Sequence, residues 1–435
     1  MKKRKKIKGD VVVVGTGPGG ATVARDLTLQ GKKVIILERG GDNKPTGRPF
    51  VVIPFTGGIG KGIMFTKPER LMMLRCLTVG GSTMMFTGTA FDPDLEKFKK
   101  YNVTISPELV AKVKNELNVA PLPDEAIGYG AKAIMKSALD LGYDWHKLNK
   151  FVDPSKGKLH SRHFFFGCKT GGPRWQARDW ALDAQKNGAT LLTHTYVEEV
   201  IVENKIATGV LAKGKHGEEI EVNANTVVLA AGGVGSPVIL QKSQIHEAGQ
   251  SFFFDPYCMT FGYLDKPTRY CSEPPMVSGL HTEDGIMVTD MSMPWIMHAN
   301  YSILAKKILG IFRAGRALGL MTKITDDLEG TIGINEKVKK RLTGSDQFKI
   351  EKGRSISRRI LRNLGAKDIF FTGYGAAHPG GTCGIGKIVD SNLETKFKNL
   401  FIADSSVIPE QWGLPPVLTV ICLGRRLSTY LAEKI

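Results

Sequence analysis

Near the start of the chain a run of valines breaks abruptly into glycines, and few folds accommodate such a break. Residues 10–40 read DVVVVGTGPGGATVARDLTLQGKKVIILERG. An apolar strand leads into Gly15, Gly17 and Gly20, an amphipathic segment follows, and a second apolar run, VIIL, ends on Glu38. Strand, glycine turn, helix, strand and acid, in that order, are what a dinucleotide requires. Gly15 permits the tight turn, Gly17 lets the backbone approach a pyrophosphate, and Gly20 lets helix and strand pack closely. The helix N-terminus, with Pro18 and Gly19 in its first turn, offers N–H groups and a positive dipole end to phosphate. Glu38 sits where a carboxylate accepts the two ribose hydroxyls of an adenosine, and Arg39 follows it. Glycine-rich turns are common, but a full βαβ unit with its acid about 20 residues after the glycines is specific.

At 435 residues the chain holds two or three ordinary domains, or two interleaved ones. Its 60 Lys and Arg against 42 Asp and Glu give a formal charge of +18. Part of that charge lies in MKKRKKIK at residues 1–8, and part between Lys337 and Arg362. Such an excess attracts nucleic acid, anionic lipid or an acidic partner protein. No nucleic-acid fold is legible and no aromatic residues interleave with the basic clusters, so nucleic acid is not expected. A solvated basic face, an anionic membrane surface and an acidic protein remain. The cysteines Cys76, Cys168, Cys258, Cys271, Cys383 and Cys422 form no CxxC pair, which argues against an iron–sulfur or zinc site and against a disulfide framework. No metal is expected. The basic start runs into VVVV, but glycines end that run too early for a secretory core. No apolar stretch approaches the roughly 20 residues of a membrane span. The expected location is the cytoplasm, with the membrane surface as a peripheral site.

Further along, LTVGGSTMMFTGTAF at 77–91 carries Gly80, Gly81, Ser82 and Thr83, a loop able to press backbone and hydroxyls against a flat or charged ligand. Residues 93–150 read as a helical insertion with a polar outside. From 164 to 204 a turn leads into a helix and two strands. NTVVLAAGGVGSPVIL at 225–240 is a buried strand ending at Ala231 and Gly232 in another close backbone approach. Residues 251–367 alternate apolar and polar residues around turns, which predicts an antiparallel sheet. Their many Met and Phe suit either a core or a greasy pocket. Within them YSILAKKILGIFRAGRALGLM, 301–321, reads as a basic amphipathic helix, either a flap of the second domain or a bilayer-surface element. FIADSSVIP is a buried strand that brings Asp404 to its carboxyl end, where ligands sit in open α/β sheets. The last 19 residues, VLTVICLGRRLSTYLAEKI, read as a helix that packs back on the sheet.

These motifs, in this order, resemble the glucose–methanol–choline flavoprotein oxidoreductases, and most of all their long-chain alcohol and sterol-type branch. The resemblance rests on GTGPGG with Glu38, GGST at 80–83, FFGCKTG, AAGGVGSP at 230–237, HPGGTCGIG at 378–386 and NLFIADSSVIP. It implies an α/β protein: a discontinuous Rossmann-like FAD-binding domain (8–95, 164–250 and 368–435) and an α+β substrate or cap domain on an antiparallel sheet (96–163 and 251–367). Residues 1–8 would be a basic leader. The GGST loop would lie along pyrophosphate and flavin, Val197 near the adenine and Asp404 near the ribityl chain. His378 matches the family's active-site histidine, an imidazole base suited to taking a hydroxyl proton as hydride leaves for flavin. His160 and His163 flank a turn and read as loop residues.

Two departures bear on the chemistry. The family places Asn or His shortly before the last helix, whereas this chain has GLPPVLT, so Pro415 stands there and offers no side-chain hydrogen bond. Phe86 stands where many members have a polar Asn. No His or Cys occupies a flavin-linking place in the GGST loop, so the FAD is expected to be non-covalent. The leading expectation is hydride removal from the CH–OH group of a lipophilic alcohol, passed on to an acceptor such as a quinone or redox protein. The alternatives are a reductase or desaturase acting on a carbon–carbon double bond, and a flavin electron carrier or lipid-binding subunit without alcohol chemistry.

Overall fold

The computed structural model describes residues 4–435. Strand β1 (Lys5–Val14), helix α1 (Pro18–Leu29) and strand β2 (Val34–Leu37) form the opening βαβ unit. β1 lies between β2 and the strand Glu219–Leu229, parallel to both. Val11–Val14 and Val34–Leu37 are all buried, as a parallel sheet covered on both faces demands. Thr190–Leu192 adds a strand beside β2, and Leu400–Ile402 pairs in parallel with Val227–Leu229. The antiparallel strands Tyr196–Glu203 and Ile206–Lys213 complete a seven-stranded sheet. α1 packs against the helices Ala177–Lys186 and Val417–Lys434. Two glycines make its entry possible. A Cβ on Gly19 would lie 1.8 Å from the Ala403 carbonyl oxygen, and one on Gly20 would lie 2.2 Å from that of Gly15.

The second sheet has nine strands and is largely antiparallel. At its centre Pro256–Tyr263 pairs with Ala317–Ile324, which pairs with Ile286–Asp290. Side chains alternate across this sheet with the two-residue period of a strand. Cys258, Leu318, Leu320 and Ile324 pack in the core shared with Ile350 and Ile360 of the helix Gly344–Asn363. Met259, Phe261, Tyr263 and Met321 belong to a core on the other side, rich in Met, Phe and Tyr. Gly353 lets the covering helix close on the sheet, since a Cβ there would meet Thr322 at 2.3 Å.

Several segments depart from expectation. Residues 301–321 are not one helix: Trp295–Leu304 is helical, Ile308–Arg316 is a 3-10 run, and Ala317–Ile324 is a buried strand. Gly310 packs where a Cβ would meet the Tyr263 hydroxyl at 2.3 Å, and the apolar alternation beyond it favours a strand. Residues 5–8 are no free leader but the start of β1, with Arg4 bonded to Glu219 at 3.1 Å and Lys6 to Glu221 at 3.0 Å. Residues 1–3 of that leader lie outside the described residues. The insertion at 93–150 contains three helices, and Phe98, Val103, Val110 and Val113 share the core of the parallel sheet. Conversely Ile63–Phe65, Met72–Leu74 and Gly375–Ala376 are strands of the second sheet. The chain passes between the two layers more often than its motifs announce.

Candidate active site

The carboxyl ends of the central parallel strands open on a cavity of about 370 Å³ that continues over the second sheet. Its first part is a cradle of backbone. Gly15, Gly17, Pro18 and Gly19 at the start of α1, Glu38 and Arg39 after β2, Gly81, Ser82 and Thr83, Val197, Ala231, Gly232 and Asp404 all line it. Gly20 and Gly80 do not. Gly20 is packed against the Gly15 carbonyl and the Ala230 methyl, and Gly80, with φ +97°, lies behind the loop against Arg178. These two shape the cradle from outside it.

The cradle has room where a dinucleotide would need it. An ideal Cβ on Gly17 or on Gly232 meets no atom within 4 Å, so each glycine leaves open the space its side chain would fill. Gly17 is also the N-cap of α1 and supplies no capping side chain, leaving the first-turn N–H groups to a ligand. Glu38 is buried; one carboxylate oxygen accepts from the Thr16 N–H at 3.1 Å and hydroxyl at 2.5 Å, and the other from the Gly40 N–H at 2.8 Å. Burial pushes its carboxyl pKa up, while the Thr16 and Gly40 bonds pull the other way. Glu38 therefore fixes the glycine turn as well as lining the cradle. Asp404 likewise ties two turns, accepting from the Gly232 N–H at 2.8 Å, the Ser236 hydroxyl at 2.5 Å and the Ser406 N–H at 2.8 Å. At the far end Arg39 lies 4.8 Å over the Tyr196 ring and pairs with Glu336. The residues present fit an adenine dinucleotide.

Beyond the cradle the lining turns apolar. Seven methionines, among them Met259, Met291, Met297 and Met321, line the cavity with Phe86, Phe165, Tyr257 and Tyr301. His378, Lys323 and Pro415 stand on the same wall system. Strand alternation explains the lysine: Lys323 is two residues after Met321 and shares its face. Asp255 reaches the same point from the neighbouring strand's entry. Its Oδ2 lies 2.9 Å from His378 Nδ1 and 3.1 Å from Lys323 Nζ, and Lys323 Nζ lies 3.3 Å from the same ring nitrogen. The Gly413 N–H donates to the other oxygen of Asp255 at 3.0 Å. Asp255 and Lys323 are buried, whereas His378 keeps 26% of its side chain exposed.

The ionised Asp255 carboxylate can only accept and is the nearer partner of Nδ1, which favours Nδ1–H there although Lys323 Nζ also faces that nitrogen. With Nδ1–H donating to the Asp255 carboxylate, Nε2 is the unprotonated nitrogen, and it makes no hydrogen bond among the described residues. Burial lowers the His378 pKa and the Lys323 ammonium lowers it further, against the opposing Asp255 bond. Lys323 is itself held below the usual lysine range by burial, with Asp255 opposing. His378 has φ +52°, in the left-handed region that non-glycine residues rarely adopt. The sequence motif points to His378 alone. Asp255 and Lys323 carry no motif, although a lysine inside the apolar LGLMTKI strand is a signal in hindsight. Pro415 lines the cavity, and the histidine's polar neighbours come from the second sheet instead. His160 caps the short helix Ser161–Phe165 and His163 lies within it; neither lines the cavity. Among the described residues no group of three or more His, Cys, Asp or Glu could hold a metal ion, and all six cysteines are free.

The GMC oxidoreductase model matches in two parts, its N-terminal part at residues 57–257 and its C-terminal part at 349–424. A long-chain-alcohol oxidase of Arabidopsis thaliana is 23% identical, covering 99% of this chain and 68% of its own. An uncharacterized protein of Methanocaldococcus jannaschii is 24% identical over 96% of this chain and 98% of its own. Among solved structures a pyridoxine 4-oxidase superposes with a TM-score of 0.75 at 17% identity, covering 98% of this chain and 99% of that one. A formate oxidase of Aspergillus oryzae, studied for its FAD modification, does so with a TM-score of 0.74 at 14% identity, covering 99% of each chain. The two matched parts together span more than half of the chain, and the chain belongs to the GMC oxidoreductases as an FAD-dependent enzyme.

Proposed function

We propose that this protein oxidises the CH–OH group of a lipophilic alcohol, with His378 as the base and with FAD held without a covalent link. The observation that carries the reading is the placement of His378: an imidazole with its Nδ1 fixed by Asp255, at the junction of a dinucleotide cradle and a methionine-lined chamber. When bound, the flavin supplies a hydride acceptor. The chain's own residues do the rest. Nε2 of His378 takes the hydroxyl proton, and the Asp255 carboxylate stabilises the imidazolium that results. Burial and the Lys323 cation favour the neutral imidazole until then. The methionines and Phe86 shape a flexible apolar site that excludes water around the reacting carbon. The long-chain-alcohol oxidases among the relatives fit such a site.

Pro415 gives the double-bond reading its one support, because it leaves the last helix without a donor to the substrate oxygen. That reading needs His378 as a proton donor. Burial and Lys323 both disfavour the protonated ring, so alcohol oxidation is the better match.

Anaerobic reduction of the bound flavin by a panel of long-chain alcohols tests the assignment. His378→Ala should keep its FAD yet reduce it about 10²–10⁴ times more slowly, the usual worth of a positioned general base. Failure of every alcohol to bleach the wild-type flavin would remove the dehydrogenase reading. Acid or heat should release the flavin intact; flavin retained on the denatured polypeptide would refute the non-covalent attachment.

A further inference from the structure

We infer that residues 295–316 form the face by which this protein sits on an anionic lipid bilayer. Seven of the seventeen exposed large apolar side chains among the described residues fall within 295–312: Trp295, Ile296, Ile303, Leu304, Ile308, Leu309 and Phe312. Leu309 is 76% and Phe312 85% exposed, so these are side chains standing in solvent and not at the margin of a core. A cluster of this kind marks a surface that another apolar phase covers.

The occupant follows from charge and position. From 291 to 325 the chain has no Asp or Glu, while Lys306, Lys307 and Arg316 are exposed within the same stretch. Cations bordering inserted Trp, Leu and Phe suit lipid phosphate above acyl chains. A second protein chain would need complementary acids and a shaped apolar partner; a bilayer needs only this depth order.

The face is also held firmly. The His298 ring packs 4.8 Å from Phe261, its Nε2 lies 3.2 Å from the Tyr263 hydroxyl, and the Trp295 N–H donates to the Ile311 carbonyl at 3.1 Å. The same helix presents Met297 and Tyr301 to the chamber. One helix is thus both the exposed apolar face and a wall of the lipophilic site. The inference deepens the proposed substrate class and rests on it only for that meaning, because the docking itself is read from binding and not from turnover.

The test uses the full holoenzyme and extruded vesicles, of phosphatidylcholine alone or mixed with phosphatidylglycerol. Wild type should sediment with the mixed vesicles, less with the neutral ones, and its Trp295 emission should be quenched by lipid brominated on the acyl chains. Leu309→Ser with Phe312→Ser should weaken binding by about tenfold or more, the loss expected for two inserted apolar side chains. Both positions are exposed, so an unchanged melting curve will show the variant folded. Trp295→Phe should bind like wild type but lose the quenching. Equal sedimentation by wild type and the double variant, or binding without quenching, would overturn the proposal. So would a concentration-dependent dimer that ignores vesicles and dissolves in the double variant, since the occupant would then be a second copy.

Discussion

At the scale of single residues the site is governed by one shared carboxylate. Asp255 Oδ2 faces both His378 Nδ1 and Lys323 Nζ, and each tie has a different consequence for the base. The bond to His378 orients the ring and favours the protonated form. Burial, and after it the Lys323 cation that repels a second positive charge, outweigh that bond, so the ring titrates below its ordinary value of about 6.5. The sign follows directly. The base works unprotonated, so the rate of flavin reduction should be flat around neutral pH and fall only as pH drops through the lowered pKa. Lys323→Gln removes the cation while keeping a donor toward Asp255. It should move the acid limb of the pH profile upward, with FAD content unchanged. A limb that stays in place or moves down would show that Lys323 does not set the proton affinity of His378. A merely structural lysine would change stability without moving the limb.

At the scale of elements the glycines of the α1 entry separate by what surrounds them. Gly17 has φ −63° and empty space where a Cβ would stand, whereas Gly19 has the Ala403 carbonyl there at 1.8 Å. Gly17→Ala should therefore leave the apoprotein's unfolding curve unchanged and weaken FAD binding by about tenfold or more, because the methyl occupies the phosphate approach. Gly19→Ala should instead destabilise the fold by more than the roughly 1–3 kcal/mol typical of overpacking, since backbone on both sides must move. Isothermal titration with FAD and urea unfolding distinguish the two. Equal effects of both substitutions on both measurements would contradict this division. The second sheet shows the same logic on a strand. Two-residue alternation puts Leu318, Leu320 and Ile324 under the covering helix and Met321 and Lys323 on the cavity side. One inserted residue before Met321 would turn the lysine away from His378.

At the scale of the whole molecule the two sheets meet around the cavity, so an occupant of the cradle bridges both. FAD should therefore stabilise the entire chain, by about 2.7 kcal/mol at a hundredfold excess over its dissociation constant. Stripping the cofactor should lower the melting temperature of both layers together; a split into two transitions, with only one shifting, would show that the layers unfold independently. What the sequence determined by itself was local and repetitive. The valine run, the glycines of the first turn and Glu38 lie within one short window, where turn geometry and strand period leave few alternatives. The turn at Gly15 and Gly17 and the close packing at Gly20 were readable in that way, whereas the places expected of His378 and Val197 came from the family resemblance. The tertiary structure decided which distant segments share a layer and which side chains share a charge. The helical residues Phe98 and Val110 joined the core of the parallel sheet, a placement not legible in sequence because apolar faces have no sequence address for their partner. The strand Ala317–Ile324 took over the last five residues of an expected helix because pairing with Pro256–Tyr263 on one side and Ile286–Asp290 on the other outweighs local helical propensity. Asp255 and Lys323 are 68 residues apart, and His378 lies another 55 away. Only the pairing of Pro256–Tyr263 with Ala317–Ile324 and with the short strand Gly375–Ala376 brings the three together, and burial then makes their charges matter to one another.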